Sequence, residues 1–238
     1  MTEDIRRRYE SVLEEITQAA KKAGRDPESI QLVVVTKKHT VDVLRAAIAA
    51  GVTVFGENYP REAVSKQQTL GNENKVEWHM IGHVQSRKSQ LVVEHFSLLH
   101  SLDRLKVARR IDRFSAELGK KFPVLLEFNV SGEESKSGWD ASDESRWEAL
   151  LPAVEEILDL ENLRVRGLMT MPPYHEDAER TRPFFRKLRR LRDYLRTRYP
   201  HAAWDQLSMG TSVDFRVAIE EGATIVRVGQ AVVGARPV

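Results

Sequence analysis

The sequence predicts an α/β protein, a (β/α)8 barrel of the TIM type with one extra helix at its amino terminus. Three observations support this fold class. Short apolar runs alternate with longer amphipathic stretches, which is the pattern of a parallel sheet covered by helices. There are eight such runs, and 238 residues are enough for one compact barrel and a leading helix. A doubly wound sheet is the competing fold, but no GxGxxG dinucleotide fingerprint follows any of the runs.

The first 24 residues predict an amphipathic helix packed on the barrel. Ile5, Val12 and Ile16 recur at helical spacing, and the pattern stops near Gly24 and Pro27. We expect residues 1–238 to form a single domain. The charged amino terminus lacks the apolar core of a secretory signal, and no stretch reaches the roughly 18 apolar residues of a membrane span. These features predict a cytoplasmic protein with no membrane partner.

Eight apolar runs are predicted as the barrel strands, in the order Leu32–Val35, Val52–Phe55, Val76–Ile81, Leu98–Ser101, Val124–Val130, Leu163–Met169, Ala203–Leu207 and Thr224–Val228. Between them, amphipathic stretches predict helices over residues 41–50, 105–118, 147–158, 184–199 and 212–221. In a barrel of this kind the functional residues collect at the carboxyl ends of the strands. The residues that follow each run are therefore the candidates for a site.

Composition excludes several kinds of chemistry. The chain has no cysteine, which removes disulfides, a thiolate nucleophile and Cys-ligated metals, and no metal site is predicted. The formal net charge is only +2, with 37 basic and 35 acidic residues, so no nucleic-acid partner is expected. The one basic run spans residues 180–198, and we interpret it as the solvent-facing side of an amphipathic helix. A nucleic-acid or protein-binding surface is the alternative. The apolar positions of this helix are Phe184, Leu188, Leu191 and Leu195.

Two loops near the carboxyl terminus predict a phosphate site. The seventh run leads into Ser208, Thr211 and Ser212, three hydroxyls ahead of a predicted helix, and the eighth leads into Gly229 and Gln230. Barrel enzymes often bind phosphate with these two loops and a helix amino terminus, where free N–H groups favour an anion. The alternative is that Ser212 only caps its helix and Gly229 only turns the chain.

Lys37 follows the first apolar run, where its amine would project into the barrel mouth. Desolvation and the neighbouring cation Lys38 both favour the neutral, nucleophilic form of such an amine. Lys38 itself points to the opposite side of the strand and is the weaker candidate. An amine beside a phosphate site suits an aldehyde that carries a phosphate, and pyridoxal 5′-phosphate (PLP) meets both requirements. A surface lysine at a strand end is the alternative.

Arg227 lies in the last predicted strand, two residues before Gly229. An arginine that points into a barrel needs an acceptor, and a pyridine nitrogen would serve. Its permanent charge would keep that nitrogen unprotonated and weaken the ring as an electron sink. The alternative is an ion pair inside the barrel with Glu127 or Asp214.

These residues lie in segments that resemble the pyridoxal phosphate homeostasis protein family, the single-barrel relatives of the alanine racemase amino-terminal domain. The matching segments run in order from residue 33 to residue 236: VVVTKKHT, FGENY, WHMIGHVQSRK, FNVSGEESKSGW, VRGLMTMPP, LSMGTSVDFRVAIEEGAT and VRVGQAVVGAR. The resemblance implies a barrel that holds PLP as a Schiff base on Lys37. It further implies that the phosphate is held by Thr211, Ser212, Gly229 and Gln230, that the pyridine nitrogen faces Arg227, and that the ring is surrounded by Asn58, Ser208, His79 and Met171.

The same resemblance implies a protein of intracellular PLP homeostasis with no robust catalytic turnover and no catalytic residue. A PLP-dependent amino-acid racemase-like enzyme is the alternative. A two-base racemase needs a second acid or base on the opposite face of its substrate, which a second domain supplies in the related racemases, and we expect this length to leave no room for one. The expected partners are PLP and PLP-requiring apo-enzymes. Lys136 would offer a second amine for transfer to them, or is a solvated loop lysine, and the chain is expected to be a monomer or weak dimer.

Overall fold

The computed structural model describes residues 1–71 and 76–235. Within these ranges eight parallel strands pair in chain order and close into a barrel, because the last strand pairs with the first. This arrangement confirms the predicted (β/α)8 fold class. One additional strand, β6, has two residues and pairs with the carboxyl end of β5, at Phe128 and Asn129. The strands are β1 (Gln31–Val35), β2 (Val54–Glu57), β3 (Glu77–Met80), β4 (Leu98–Leu102), β5 (Phe122–Asn129), β6 (Trp139–Asp140), β7 (Leu163–Met169), β8 (Gln206–Ser208) and β9 (Ile225–Val228).

Helices cover the outside of the barrel. In the described ranges they are α1 (Thr2–Lys22), α2 (Val41–Ala49), α3 (Pro60–Leu70), α4 (Ser89–His95), α5 (Leu105–Glu117), α6 (Leu151–Leu158), α7 (Arg182–Arg198), α8 (Phe215–Glu220) and α9 (Gln230–Val233). Short 3₁₀ turns lie at Pro27–Ser29, Ser86–Lys88, Glu144–Leu150 and Ala178–Thr181. None of the helices described here is long and apolar enough to cross a membrane.

The strands divide their side chains between two cores. Alternate residues face outward under the helices, where they form the larger apolar cluster. The inward positions form a small apolar layer of Val33, Val54, Leu98, Leu125, Met169 and Ile225. Two residues further along three of these strands the inward positions are polar, occupied by His100, Glu127 and Arg227. The half of the barrel interior near the carboxyl ends of the strands is therefore polar, which is where the sequence predicts a site.

Helix α1 packs on the outside of the barrel against α2, α8 and α9. It buries the apolar stripe predicted from its sequence, including Ile5, Val12 and Ile16. Beyond its end, Arg25 donates to the backbone carbonyls of Ile219 and Ala223 at 2.8 and 2.7 Å. The helix thus covers the flank of the barrel where the first and last strands meet.

Several predicted boundaries are wrong, as is one predicted position on the apolar face of α7. The second strand runs over Val54–Glu57 and not over Val52–Phe55, and the helix predicted from residue 147 begins at Leu151, after a 3₁₀ turn. The seventh strand of the barrel, β8, begins at Gln206 and not at Ala203 as predicted. This is because Trp204 turns into the core and donates its indole N–H to the Tyr199 carbonyl at 2.9 Å. The helix predicted from residue 212 begins at Phe215, because residues 212–214 form a turn. On α7 the fully buried first position is Phe185, one residue after the predicted Phe184. Residue 236, the last of the resembling segments, lies outside the described residues.

Candidate functional site

A cleft of about 400 Å³ opens at the carboxyl ends of the strands, within the size range of small-molecule sites. The loops after β1, β2, β3, β7, β8 and β9 line it. Seven of the eight predicted cofactor-binding residues are on its wall: Lys37, Asn58, Thr211, Ser212, Arg227, Gly229 and Gln230. The eighth, Ser208, is fully buried below the floor. Met171 also lines the cleft, whereas His79 lies deeper in the barrel.

Lys37 and Lys38 form the turn that follows β1. Lys37 is half-buried and lines the cleft, while Lys38 is exposed and has a left-handed backbone, with φ of 65°. A left-handed conformation costs a non-glycine residue free energy, so the surrounding contacts must hold it. The backbone N–H of Lys38 donates to Glu62 Oε1 at 2.6 Å, which is one such contact.

A buried ammonium group fixes this turn from the side of α3. Lys66 Nζ donates to the Thr36 carbonyl at 2.8 Å, to Glu57 Oε1 at 2.7 Å and to Glu62 Oε1 at 2.6 Å. The Thr36 hydroxyl also donates to Glu57 Oε1 at 2.8 Å. Burial raises the pKa of Glu57, and Lys66 acts against that rise. We call Thr36, Glu57, Glu62 and Lys66 the lysine clamp. The clamp was not predicted from the sequence, although the Glu62–Lys66 spacing of four on a helix is a recognisable signal.

Ser212 and Gly229 meet on the opposite wall of the cleft. The backbone N–H of Gly229 donates to Ser212 Oγ at 3.3 Å. A side chain at position 229 would bring its Cβ within 3.1 Å of the Val35 carbonyl oxygen, so glycine lets the β9 loop lie against β1. Thr211 is engaged differently, since both its N–H and its hydroxyl donate to Asp214 Oδ1, at 2.7 and 3.0 Å. In its hydrogen bond with Gly229, the Ser212 hydroxyl is the acceptor, so its own proton can be donated to another group.

Arg227 projects from β9 into the floor of the cleft and is buried. One terminal nitrogen donates to Ser208 Oγ, and the other donates to the Thr170 carbonyl at 3.0 Å and contacts Met171 Sδ at 2.9 Å. Burial lowers the pKa of Arg227 to about 10, so the guanidinium is still charged at neutral pH. The site therefore has a fixed positive charge on its floor.

The alternative of an ion pair with Glu127 or Asp214 is not what the structure contains. Among the described residues neither carboxylate forms an ion pair with Arg227, although both raise its pKa from a longer distance. Burial and the nearby Asp103 carboxylate raise the pKa of Glu127 to about 7. Arg227 is thus held mainly by neutral acceptors where it lines the cleft.

Two histidines lie beneath Arg227 in the barrel interior. His100 Nδ1 is 2.8 Å from Ser208 Oγ, and His100 Nε2 is 3.1 Å from His79 Nδ1. His79 Nε2 in turn lies 3.5 Å from Glu77 Oε2. Burial, together with the charges of His79 and Arg227, holds the pKa of His100 well below its usual value, so its ring is neutral at pH 7.

The rim of the cleft carries exposed apolar side chains. Tyr174 is 73% exposed, and Met171 and Val213 are each more than a third exposed. Below the rim, Asn58 Oδ1 is buried without a hydrogen-bond partner among the described residues. A buried acceptor of this kind is unfavourable unless a ligand or water satisfies it.

The basic side of α7 is largely paired with acidic neighbours. Glu221 accepts ion pairs from Arg182, Arg186 and Arg189, and Glu144 pairs with Arg190. These pairs join α7 to the elements beside it, which is the arrangement expected of an outer helix. Over residues 1–71 and 76–235 no group of three or more metal-ligating side chains occurs.

Known proteins share the sequence and the barrel architecture of this chain. Residues 10–237 match the family model for the alanine racemase N-terminal domain. The chain is 42% identical to the pyridoxal phosphate homeostasis proteins of Vibrio alginolyticus and of Escherichia coli K12, over 98% of this chain and 97% of each relative.

Solved structures agree with these matches. The chain superposes on PipY of Synechococcus elongatus PCC7942, solved with PLP bound, with a TM-score of 0.79 and 35% identity, covering 92% of this chain and all of that one. Alanine racemase of Clostridium difficile 630 shares the fold at 15% identity and a TM-score of 0.70, and the match covers 58% of that racemase.

The barrel and its cleft therefore define a member of the alanine racemase N-terminal domain class. Within that class, the chain belongs to the pyridoxal phosphate homeostasis protein family.

Proposed function

We propose that this chain binds PLP and serves intracellular PLP homeostasis, holding PLP as a Schiff base on Lys37 without robust catalytic turnover. The observation that carries the proposal is the convergence of three groups on one cleft: the Lys37 amine, the Arg227 guanidinium and the Ser212–Gly229 pair. The names of the relatives and the PLP bound to PipY support the same ligand.

The residues of the cleft fit this ligand. PLP supplies an aldehyde that condenses with an amine, and an electron-withdrawing pyridine ring. Lys37 would form the covalent link, and Ser212, Gly229, Gln230 and Thr211 would bind the phosphate. The buried Asn58 Oδ1 has no partner among the described residues, and a ring hydroxyl would supply the missing donor.

Arg227 supports a binding role over a catalytic one. A guanidinium cannot give up its proton to the pyridine nitrogen, so the nitrogen stays unprotonated and the ring is a weak sink for electrons. Even with its pKa lowered to about 10, Arg227 is charged at pH 7. Ser208 lies below the floor of the cleft and accepts a hydrogen bond from Arg227. It would orient the guanidinium toward the ring without contacting PLP itself.

The open rim supports transfer of the cofactor to other proteins. Met171, Tyr174 and Val213 line the cleft and are exposed, and exposed apolar side chains beside a binding site are typical of surfaces that contact other proteins. We infer that PLP-requiring apo-enzymes are partners and that the protein acts in the cytoplasm as a monomer or weak dimer. We further infer that residues 1–238 work as one PLP-binding domain.

Titration of the PLP-free protein with PLP tests this function. We expect a visible absorbance band that saturates, is lost in Lys37→Ala and is retained in Lys38→Ala, because the adjacent Lys38 is exposed on the other side of the turn. Absence of uptake by the wild-type protein, or a full band in Lys37→Ala, would contradict the proposal. Racemisation or transamination of amino acids by the loaded protein would favour an enzyme instead.

A further inference from the structure

A chain of polar contacts crosses the interior of the barrel. Hydrogen bonds connect Arg227 on the floor of the cleft with Ser208, His100 and His79, and His79 Nε2 lies 3.5 Å from the carboxylate of Glu77. Glu77 and His79 line a hollow of about 160 Å³ at the opposite end of the barrel, formed at the amino ends of the strands. The chain therefore connects the cleft with the far mouth. We call these five residues the relay.

The chemistry of its ends sets the direction of the relay. A guanidinium only donates, so Ser208 Oγ must accept from Arg227 and keeps a single proton to donate. A carboxylate only accepts, and Glu77 Oε2 lies 3.5 Å from His79 Nε2, which favours a proton on that nitrogen. Neutral His100 has one donor and one acceptor, and burial keeps it neutral.

With both imidazole rings neutral, one arrangement gives each of the four contacts a single proton. Ser208 donates to Nδ1 of His100, Nε2–H of His100 donates to Nδ1 of His79, and Nε2–H of His79 donates to Glu77. Both rings then carry their proton on Nε2. The reverse arrangement would require both nitrogens of His79 to be protonated, because Nδ1 would have to donate to His100 while Nε2 faces the carboxylate.

We propose that Ser208, His100 and His79 are positioning residues that orient the Arg227 guanidinium toward the pyridine nitrogen of bound PLP and link it to Glu77 as a distant counter-charge. This inference rests on the proposed function. A carboxylate in direct contact would engage two N–H groups of the guanidinium in a bidentate pair. The single hydroxyl of Ser208 engages one, and the Thr170 carbonyl and Met171 Sδ secure the other terminal nitrogen.

Glutamine and leucine substitutions separate the relay from simple packing. A glutamine at position 100 can accept from Ser208 with its oxygen and donate to His79 with its nitrogen, whereas leucine fills the space and can do neither. We expect His100→Leu to raise the PLP dissociation constant about five- to tenfold, the change that corresponds to the loss of one hydrogen bond between neutral groups. We expect His100→Gln to stay within about twofold of wild type.

Two further variants keep the test conclusive. Ser208→Ala removes the contacts with both Arg227 and His100 at minimal change in volume. It is expected to raise the PLP dissociation constant at least as much as His100→Leu, so it replaces that variant if leucine prevents folding. Val154→Ala on α6 removes buried packing away from the relay and serves as the stability control, with unchanged PLP affinity expected. The positioning role would be overturned if His100→Leu, Ser208→Ala and the wild-type protein had equal PLP affinities and equal absorbance maxima.

The histidine tautomers can be read without PLP. In ¹⁵N-labelled, PLP-free protein near pH 8, we expect both His79 and His100 to carry the proton on Nε2 and a bare Nδ1. A proton on Nδ1 of either ring would overturn the proposed direction. If the wild-type protein took up no PLP, the proposed function and the positioning role would both fail, while the tautomers would still report on the relay itself.

Discussion

At the scale of single residues, the barrel interior disfavours the ionised form of the Glu127 carboxyl group. Its side chain is buried, and burial with the nearby Asp103 raises its pKa to about 7, although Arg227 and Arg104 oppose that rise. In the unfolded chain a glutamate titrates near pH 4.3. Between these two values the folded state holds the proton that the unfolded state releases. The free energy of unfolding therefore decreases as pH rises from about 4.3 to about 7.

Glu127→Gln removes this pH dependence. We expect the variant to match wild type near pH 4.5 and to exceed its free energy of unfolding by about 3–4 kcal/mol at pH 8, because an uncharged amide is not penalised by burial. In thermal unfolding this corresponds to a midpoint roughly 10 °C higher at pH 8. The exposed Glu148→Gln is the matched control and is expected to show no such trend. A Glu127→Gln protein less stable than wild type at pH 8 would contradict the assigned cause.

At the scale of elements, the lysine clamp ties α3 and β2 to the turn that carries Lys37. The Lys66 ammonium group is buried, and it donates to two carboxylates and one backbone carbonyl, whereas Glu57 Oε2 is buried with no partner among the described residues. Removing one partner of a buried pair leaves an uncompensated charge, which is far more destabilising than loss of a surface pair. The position of Lys37 therefore depends on a side chain from a different element.

Lys66→Met tests the clamp. We expect a loss of about 3–5 kcal/mol in the free energy of unfolding, measured with urea, and faster amide hydrogen exchange in residues 36–38. Adding Glu57→Gln to the variant should restore part of the loss, because one buried charge is then neutralised. The surface pair Lys22–Glu220 provides the control, and Lys22→Met should change stability by less than about 1 kcal/mol. Unchanged exchange in the turn of Lys66→Met would show that the clamp does not hold it.

At the scale of the whole molecule, the outer helices complete a barrel whose own interior is half polar. Helix α1 contributes an apolar stripe to the larger core at the flank where β1 and β9 pair. Because the small apolar layer inside the barrel contains only six residues of those described, most of the apolar burial lies between strands and helices. We therefore expect the leading helix to contribute substantially to stability.

Two aliphatic positions on α1 provide a matched comparison. Ile16 is buried and Leu13 is 38% exposed on the same helix. We expect Ile16→Ala to lower the free energy of unfolding by about 2–5 kcal/mol and Leu13→Ala by less than about 1 kcal/mol. Equal effects of the two substitutions would mean that α1 does not pack as described.

The barrel and the residues of the cleft could be predicted from the sequence because both follow local rules. Apolar runs mark strands, and residues after parallel strands meet at one edge of the sheet. Lys37, Arg227 and Gly229 were found in this way. The contact of His79 with His100 depends on the register between β3 and β4, where His79 lies opposite Leu98. A register of this kind has no local signal, so the relay could not be predicted.

The central claim is that Lys37 is the amine that holds PLP in this cleft. Borohydride reduction of the PLP-loaded protein, followed by proteolysis and mass spectrometry of the peptides, tests it most directly. We predict a single stoichiometric phosphopyridoxyl adduct on Lys37, with none on Lys38 or on Lys136 of the loop after β5. An adduct mainly on another lysine, or no adduct in a protein that otherwise binds PLP, would contradict this assignment.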